Sequence, residues 1–412
     1  MNLELLKSAR SPAMEELLEA VRAGKTVCLS GLQETQSAFV ASVLRRETGL
    51  RTLLLCANDL KATHAAEDIR QLLGDGVACL PGGELDLTRG AASQESEWRR
   101  LETLTAVAED RVGLLTASMD AMVQRMGSPE RFRQSILRLK EGGSIPPDTA
   151  VRRLVRMGYE RVELVEGKGQ CALRGSILDV YPPAAQTGYR VEFFDDEIDS
   201  VRALDCVSQR SLGRVKECVL GPATEVLLDP ERASEAATRM RRALQQVTAD
   251  TGAAPLLFED LPPLPEDEAD DEAFFDAQIA PKAKSRSLTA TREAELGRRL
   301  SALASDAELV RDSQPFRRIR AWLTVLTDET AALTDWFRPQ LIILSEPDHL
   351  RDRVRERRMG FAEDLHSAID RGEAVKEQEG LLFDWDELLP RFAGAARVLC
   401  CDLLRGLGGI RP

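Results

Sequence analysis

Residues 174–210 constrain the fold more than any other stretch of this 412-residue chain. Their sequence, RGSILDVYPPAAQTGYRVEFFDDEIDSVRALDCVSQR, packs short alternating segments and turn signals into a small span. This pattern predicts a compact β-meander, that is, an antiparallel sheet of short strands joined by turns. A surface of this kind is a good platform for binding a partner and a poor place for catalysis.

The strand predicted at 189–194 carries the main candidate for a binding surface. Alternation along a strand places successive side chains on opposite faces. The core face takes Tyr189, Val191 and Phe193, and the outer face takes Arg190, Glu192 and Phe194. An exposed Phe beside an Arg is typical of an interface anchor. The alternative is that Arg190 pairs across strands with a carboxylate while Phe194 folds over a hydrophobic edge.

Carboxylates in the same stretch suggest no catalytic or metal site. Asp179, in the middle of a predicted strand, is expected to accept hydrogen bonds from nearby turn backbone, because no second carboxylate has a matching spacing. The acidic residues that cluster between 195 and 199 are expected to be a solvated hairpin tip. We therefore predict no catalytic residue and no metal ligand here.

The first part of the chain alternates strand-like and helical segments. Strands are predicted at 26–30, 53–56, 77–80 and 111–116, and helices at 13–23, 36–44, 60–73 and 93–107. This alternation predicts a parallel sheet covered by helices. Residues 132–140 are predicted to be extended. The α/β pattern returns late in the chain, with strands at 341–344 and 398–404 and a helix at 350–369.

The loop after the first strand resembles a phosphate-binding loop that has lost its phosphate ligands. A working loop follows GxxxxGK[ST], in which backbone N–H groups, the Lys and the hydroxyl bind phosphate and Mg²⁺. Gly31 fits the first position. Gln36, Ser37 and Ala38 replace the second Gly, the Lys and the metal-binding hydroxyl. We predict that this stretch does not hydrolyse ATP.

Charge and cysteine content limit the kinds of partner and the cellular compartment that we expect for this protein. With 68 acidic and 55 basic residues the net charge is -13, which argues against a broad electrostatic grip on nucleic acid. The eight cysteines show no CxxC pairing, so buried thiols in a reducing cytoplasm are expected. No signal peptide or apolar run of membrane-spanning length is apparent, so no membrane partner is expected.

Several motifs together resemble one family. The incomplete phosphate loop, TASMDAM at 116–122, SPERF at 128–132 and the block at 174–211 are similar to the N-terminal module of the bacterial transcription-repair coupling factor, Mfd, which is homologous to the excision-repair protein UvrB. The stretch LTDETAALTDWFRPQLIILSEPDHL resembles the closing half of that module. The resemblance covers most of the chain and is strongest at 110–220.

The resemblance implies an α/β fold in three segments. Residues 1–127 and 213–412 would form the two halves of a degenerate P-loop domain of the RecA/helicase-like kind, split in sequence. Residues 128–212 would form an inserted small α+β domain containing an antiparallel sheet. An acidic linker is predicted near 258–276, and the ending GLGGIRP leads us to expect a longer natural protein.

The resemblance also implies a function. The inserted domain would bind UvrA through Arg174, Arg190 and Phe194, and the module would act as a non-catalytic adaptor that recruits nucleotide excision repair to stalled RNA polymerase. Binding of RNA polymerase, DNA, ATP and Mg²⁺ would belong to domains absent from this chain. Two alternatives stay open: a UvrB-like ATP-dependent repair helicase, and an autoinhibitory module that docks on C-terminal domains of its own protein.

Overall fold

The structure, a computed structural model, describes residues 11–32, 34–85, 87, 94–251, 286–314, 316 and 318–402. The acidic linker predicted at 258–276 lies outside these residues. Among the helices within them, none combines the length and the apolar character needed to cross a bilayer.

Helices and strands alternate along most of the chain. The α-helices are α1 (Pro12–Arg22), α2 (Glu34–Thr48), α3 (Asp59–Leu73), α4 (Gln94–Ala108), α5 (Met119–Met122), α6 (Pro129–Ser135), α7 (Pro147–Arg156), α8 (Ala233–Thr251), α9 (Arg286–Arg311), α10 (Leu323–Leu326), α11 (Leu333–Phe337), α12 (Pro347–Asp370) and α13 (Trp385–Leu388). Short 3₁₀ helices within the described residues span Ile319–Trp322, Lys376–Leu381 and Leu389–Phe392.

The strands that the structure describes fall into three sheets. They are β1 (Thr26–Ser30), β2 (Thr52–Cys56), β3 (Val77–Leu80), β4 (Leu114–Ser118), β5 (Leu137–Lys140), β6 (Glu160–Arg161), β7 (Gln170–Arg174), β8 (Ile177–Tyr181), β9 (Gly188–Phe194), β10 (Glu197–Asp205), β11 (Arg210–Arg214), β12 (Glu217–Leu220), β13 (Leu341–Ser345) and β14 (Ala396–Cys401). These bounds confirm the strands predicted at 26–30 and 77–80 to the residue.

The first sheet is parallel and is built from both ends of the chain. Its six strands run in the order β1-β14-β13-β2-β4-β3, and every pair in it is parallel. β2, β4 and β13 are buried along their whole length. Continuous apolar runs of this kind are expected where helices cover both faces of a parallel sheet. The predicted parallel α/β sheet is therefore confirmed.

The second sheet is formed by the chain between β4 and β13 and has the order β11-β10-β9-β8-β7-β6. Its strands from β7 to β11 are antiparallel neighbours, as the meander pattern predicted. One face packs on α7, with Leu154, Val180 and Val191 in a shared core. Cys218 of the β5–β12 pair joins the same core. The domain boundaries proposed from the sequence stay predictions.

A buried cluster of charges connects the parallel sheet to the chain that returns from the second sheet. Glu225 accepts hydrogen bonds from Arg100 of α4, with Nη2–Oε1 at 2.6 Å and Nε–Oε2 at 3.1 Å. Arg320 reaches the same carboxylate, with Nε–Oε2 at 2.9 Å. Neither Arg100 nor Glu225 has appreciable exposure. Three distant parts of the chain therefore meet at one carboxylate.

The prediction of an extended segment at 132–140 is wrong for the first half of that segment. Residues Pro129–Ser135 form α6, and only Leu137–Lys140 is a strand. Ser128 is the N-cap, its hydroxyl accepts from the Arg131 N–H at 3.3 Å, and Pro129 occupies the first helical position. Ser followed by Pro is a standard helix start. This helix-start signal is present in the sequence, but the strand pattern that follows it dominates the prediction.

Candidate functional site

The outer face of the second sheet gathers the predicted partner-binding residues. We call it the arginine face, and define it by Arg174, Asp179, Arg190, Glu192, Phe194, Arg202 and Arg214. The alternation predicted for β9 is confirmed, since Val191 and Phe193 are buried in the core on the opposite side. β7 and β9 are both direct neighbours of β8. Arg174, Arg190 and Phe194 therefore lie on one continuous surface.

Asp179 is the buried centre of this face. Its carboxylate is 0% exposed and pairs with Arg190 through two hydrogen bonds, Nε–Oδ1 at 2.7 Å and Nη2–Oδ2 at 2.9 Å. Arg174 donates to the same carboxylate, with Nη2–Oδ2 at 2.6 Å. A paired arginine fork of this kind fixes the plane of the guanidinium as well as its position. Asp179 therefore orients both arginines.

The two arginines differ in what they offer to a partner. The Arg190 side chain is only 17% exposed, and the hydrogen bond to Asp179 raises its pKa above the ordinary value, so it stays charged. The Arg174 side chain is 47% exposed. Arg174 thus presents free donors to solvent, whereas Arg190 presents mainly the edge of a fixed ion pair.

Phe194 is the apolar element of the face. It is 75% exposed, at the end of β9 beside the turn that leads into β10. The prediction that it points outward is confirmed, and the alternative that it folds over a hydrophobic edge is wrong. The other alternative is correct for Arg190, which does pair across strands with a carboxylate. An exposed aromatic on the same face as oriented arginines has the composition of an interface centre.

Sequence reasoning missed the part that Asp179 plays. Backbone hydrogen bonds from a turn were expected, whereas the carboxylate accepts from two arginine side chains. Register explains the difference, because Asp179 lies directly opposite Arg190 on the neighbouring strand. The period-two pattern places both residues on the outer face, but their pairing depends on strand register, which the pattern alone does not give.

The predicted nucleotide loop follows β1, and β1 is joined to α2 in the expected strand–turn–helix order. Gly31 has a left-handed φ of 79°. Its N–H donates to the Asp402 carbonyl at 3.2 Å, and the Leu32 N–H donates to the Cys401 carbonyl at 3.3 Å. These are the kind of backbone donors that a phosphate loop offers to its ligand. Here both are bonded to the end of β14 and the residue after it.

Ser37 and Ala38, which stand where a working loop has its Lys and its hydroxyl, are also engaged within the protein. Ser37 and Ala38 are buried, at 3% and 1% exposure, and Ala38 belongs to the core between α2 and the sheet. Burial raises the pKa of the nearby Cys400 thiol to about 11, partly offset by a hydrogen bond with Ser37. Both side chains are therefore packed inside the protein.

Comparison with known proteins finds a family model that covers the second sheet. A profile of the UvrB interaction domain matches residues 137–226. That range contains every strand of the second sheet and the whole arginine face.

Similar sequences extend over about half of the chain. It is 31% identical over 214 residues to the transcription-repair-coupling factor of Bacillus subtilis, and 33% identical over 223 residues to that of Mycobacterium bovis. These alignments cover 52% and 51% of the chain and 18% of each relative. The UvrABC system protein B of Dehalococcoides mccartyi is 27% identical over 249 residues, which are 57% of the chain and 37% of that protein. The chain thus spans about a fifth of the length of the coupling factors that it matches.

Proposed function

We propose, from the premise that this chain carries the UvrB-homology module of a transcription-repair coupling factor, that its arginine face docks UvrA. The module would then act as a non-catalytic adaptor that recruits nucleotide excision repair to stalled RNA polymerase. One observation carries the proposal: Phe194 is 75% exposed on the same face as two arginines that a buried carboxylate orients.

The geometry suits docking because its charged groups are already in position. Binding normally costs free energy for each long side chain that has to be ordered. Asp179 fixes Arg190 and restrains Arg174 before any partner arrives. Phe194 supplies apolar area with few rotatable bonds, and aromatic and arginine residues dominate the energetically important positions of interfaces. We propose these three residues as the centre of the site.

We propose that this stretch of chain is non-enzymatic. The Gly31 and Leu32 donors are bonded within the protein, and Ser37 and Ala38 are buried. These observations support a P-loop that has lost nucleotide binding. ATP hydrolysis with Mg²⁺, translocation on DNA and contact with RNA polymerase would belong to other parts of a full-length coupling factor.

A UvrB-like ATP-dependent helicase is the main rival, and the similarity to a UvrABC system protein B favours it. Nucleotide binding distinguishes the helicase from the adaptor. Titration of the chain with ATP and Mg²⁺ is expected to give no heat of binding, and affinity in the micromolar range would favour the helicase. The autoinhibitory alternative uses the same face, with C-terminal domains of the same protein as the occupant.

The docking proposal is tested by measuring UvrA binding directly. Purified UvrA is passed over the immobilised chain and over variants Arg174→Ala and Phe194→Ala. Each substitution is expected to weaken binding by about 2 kcal/mol, roughly thirtyfold in Kd. Both residues are substantially exposed, so the variants should remain folded. Unchanged affinity in both variants would show that UvrA binds elsewhere or not at all.

A further inference from the structure

We infer that the docking site extends along the second sheet to Arg202 and Arg214, and that these residues meet an acidic surface of UvrA. This inference rests on the proposed function and enlarges its site. Arg202 and Arg214 would form a charged border around the centre made by Arg174, Arg190 and Phe194. This border reaches the open edge of the sheet.

Strand register places three arginines in one row. Arg190 of β9 lies directly opposite Arg202 of β10, and Arg202 lies directly opposite Arg214 of β11. Residues directly opposite one another share a face of a sheet. The neighbouring Val201 and Val215 pack toward the core on the other side, which places Arg202 and Arg214 on the outer face.

Such a row is unfavourable unless something neutralises it. Like charges directly opposite each other on neighbouring strands destabilise a sheet. Asp179 neutralises Arg190 from a buried position. Within the part of the chain that the structure describes, the carboxylate contacts of the other two arginines are long and single, at 3.5 Å from Arg202 to Glu192 and at 3.9 Å from Arg214 to Glu141.

These outer ion pairs are easily exchanged for a partner's carboxylates. The side chains of Arg202 and Arg214 are 39% and 60% exposed, and ion pairs at such positions contribute about 0–1 kcal/mol. β11 is exposed along its whole length, which leaves its arginines accessible from the sheet edge. Replacing a weak internal pair by a pair across an interface therefore costs little.

The charge of the row determines the chemistry of its partner. The chain as a whole carries a net charge of -13, so the sign of the charge in this row of arginines is opposite to that of the whole chain. A surface that is complementary to it must carry Asp or Glu. Charges at the border of an interface act mainly on the association rate and on its dependence on salt.

The test reverses both outer charges and compares them with a matched control. The variant Arg202→Glu/Arg214→Glu is compared with Arg152→Glu/Arg156→Glu, whose two exposed arginines lie on α7, against the opposite face of the sheet. Association with purified UvrA is followed at several salt concentrations. We expect the double variant to associate about tenfold more slowly at low salt, with a weaker salt dependence, and the control to behave like the parent.

A variant with uncharged side chains distinguishes an effect of charge from an effect of misfolding. Arg202→Gln/Arg214→Gln relieves repulsion within the row, so it should melt no earlier than the parent and should still lose part of the association rate. Parental association in both double variants, together with weakened binding by Arg174→Ala and Phe194→Ala, would overturn this inference alone. Parental binding by those two single variants as well would overturn the proposed function itself.

Discussion

Asp179 and Arg190 lie opposite each other on neighbouring strands and are joined by two hydrogen bonds, Nε–Oδ1 at 2.7 Å and Nη2–Oδ2 at 2.9 Å. The carboxylate is fully buried, and the guanidinium is mostly so. A pair in this position specifies geometry more than it adds stability, because removing both charges from water is costly. Its value to the protein is the fixed orientation of the arginine.

Substitution Asp179→Ala is expected to destabilise the chain by about 3 kcal/mol, because Arg190 then stays buried without its partner. UvrA binding should weaken at least as much as in Arg174→Ala. The measurement is denaturant unfolding, combined with binding at a temperature where the variant is folded. The variant Asp199→Ala, which removes an exposed carboxylate of β10, serves as the comparison.

A double-substitution cycle separates orientation from simple folding. If Asp179 acts through the arginines, adding Asp179→Ala to an Arg174→Ala/Arg190→Ala background should cost little further binding. Fully additive losses of binding free energy would contradict this role.

Substitution Phe194→Ala should leave stability nearly unchanged, because surface side chains contribute within about 0.5 kcal/mol. Its effect should appear in UvrA affinity, as a loss of about 2 kcal/mol. Leu60→Ala is the matched control, since Leu60 is a 65% exposed apolar residue on α3, outside the second sheet. Equal affinity losses in both variants would mean that the assay responds to exposed apolar area in general.

Substitution Glu225→Gln is expected to cost about 3–5 kcal/mol of stability, because it leaves Arg100 and Arg320 buried without their shared carboxylate. Glu217→Gln, at an exposed carboxylate on β12, should cost almost nothing. Denaturant midpoints of the two variants provide the measurement. A small loss in Glu225→Gln would show that solvent or a rearranged side chain replaces the carboxylate.

The same carboxylate predicts a response to acid. Burial acts to raise the pKa of Glu225, but the charges of Arg100 and Arg320 outweigh it, so the pKa lies below its ordinary value of 4.5. A lowered pKa in the folded state stabilises the protein above pH 4.5, and this stabilisation is lost as the pH falls through the folded-state value. Unfolding measured at neutral and acidic pH should therefore show a smaller pH dependence in Glu225→Gln than in the parent.

Rebuilding the phosphate loop is expected to fail. In a variant with Gln36→Gly, Ser37→Lys and Ala38→Thr, the threonine enters a position that is 1% exposed and should cost about 1–3 kcal/mol by overpacking. The Gly31 and Leu32 donors remain bonded to the end of β14. Calorimetric titration with ATP and Mg²⁺ should detect no binding. Recovered binding would mean that the three side chains alone account for the loss.

Local pattern was sufficient to predict much of this structure. β1 and β3 were predicted to the residue, because each is a short apolar run bounded by glycine or polar residues. The two faces of β9 were predicted because side-chain alternation depends only on position along the strand. The outward position of Phe194 follows from the same alternation.

Long-range pairing could not be predicted in that way. Nothing local indicates that β13 and β14 lie between β1 and β2. The partners of Asp179 depend on strand register, and the position of Arg214 depends on an irregularity in β10 between Ala203 and Leu204. These features arise from how strands meet, which composition and periodicity do not encode.

The order of strands in the first sheet has a consequence for how the protein is made. Among the described strands, β1 has β14 as its sole neighbour, yet more than three hundred residues separate the two. On the ribosome, β1 must therefore wait until β14 has emerged before the two strands can pair. The second sheet needs only its own contiguous stretch, so it can be complete before the first sheet.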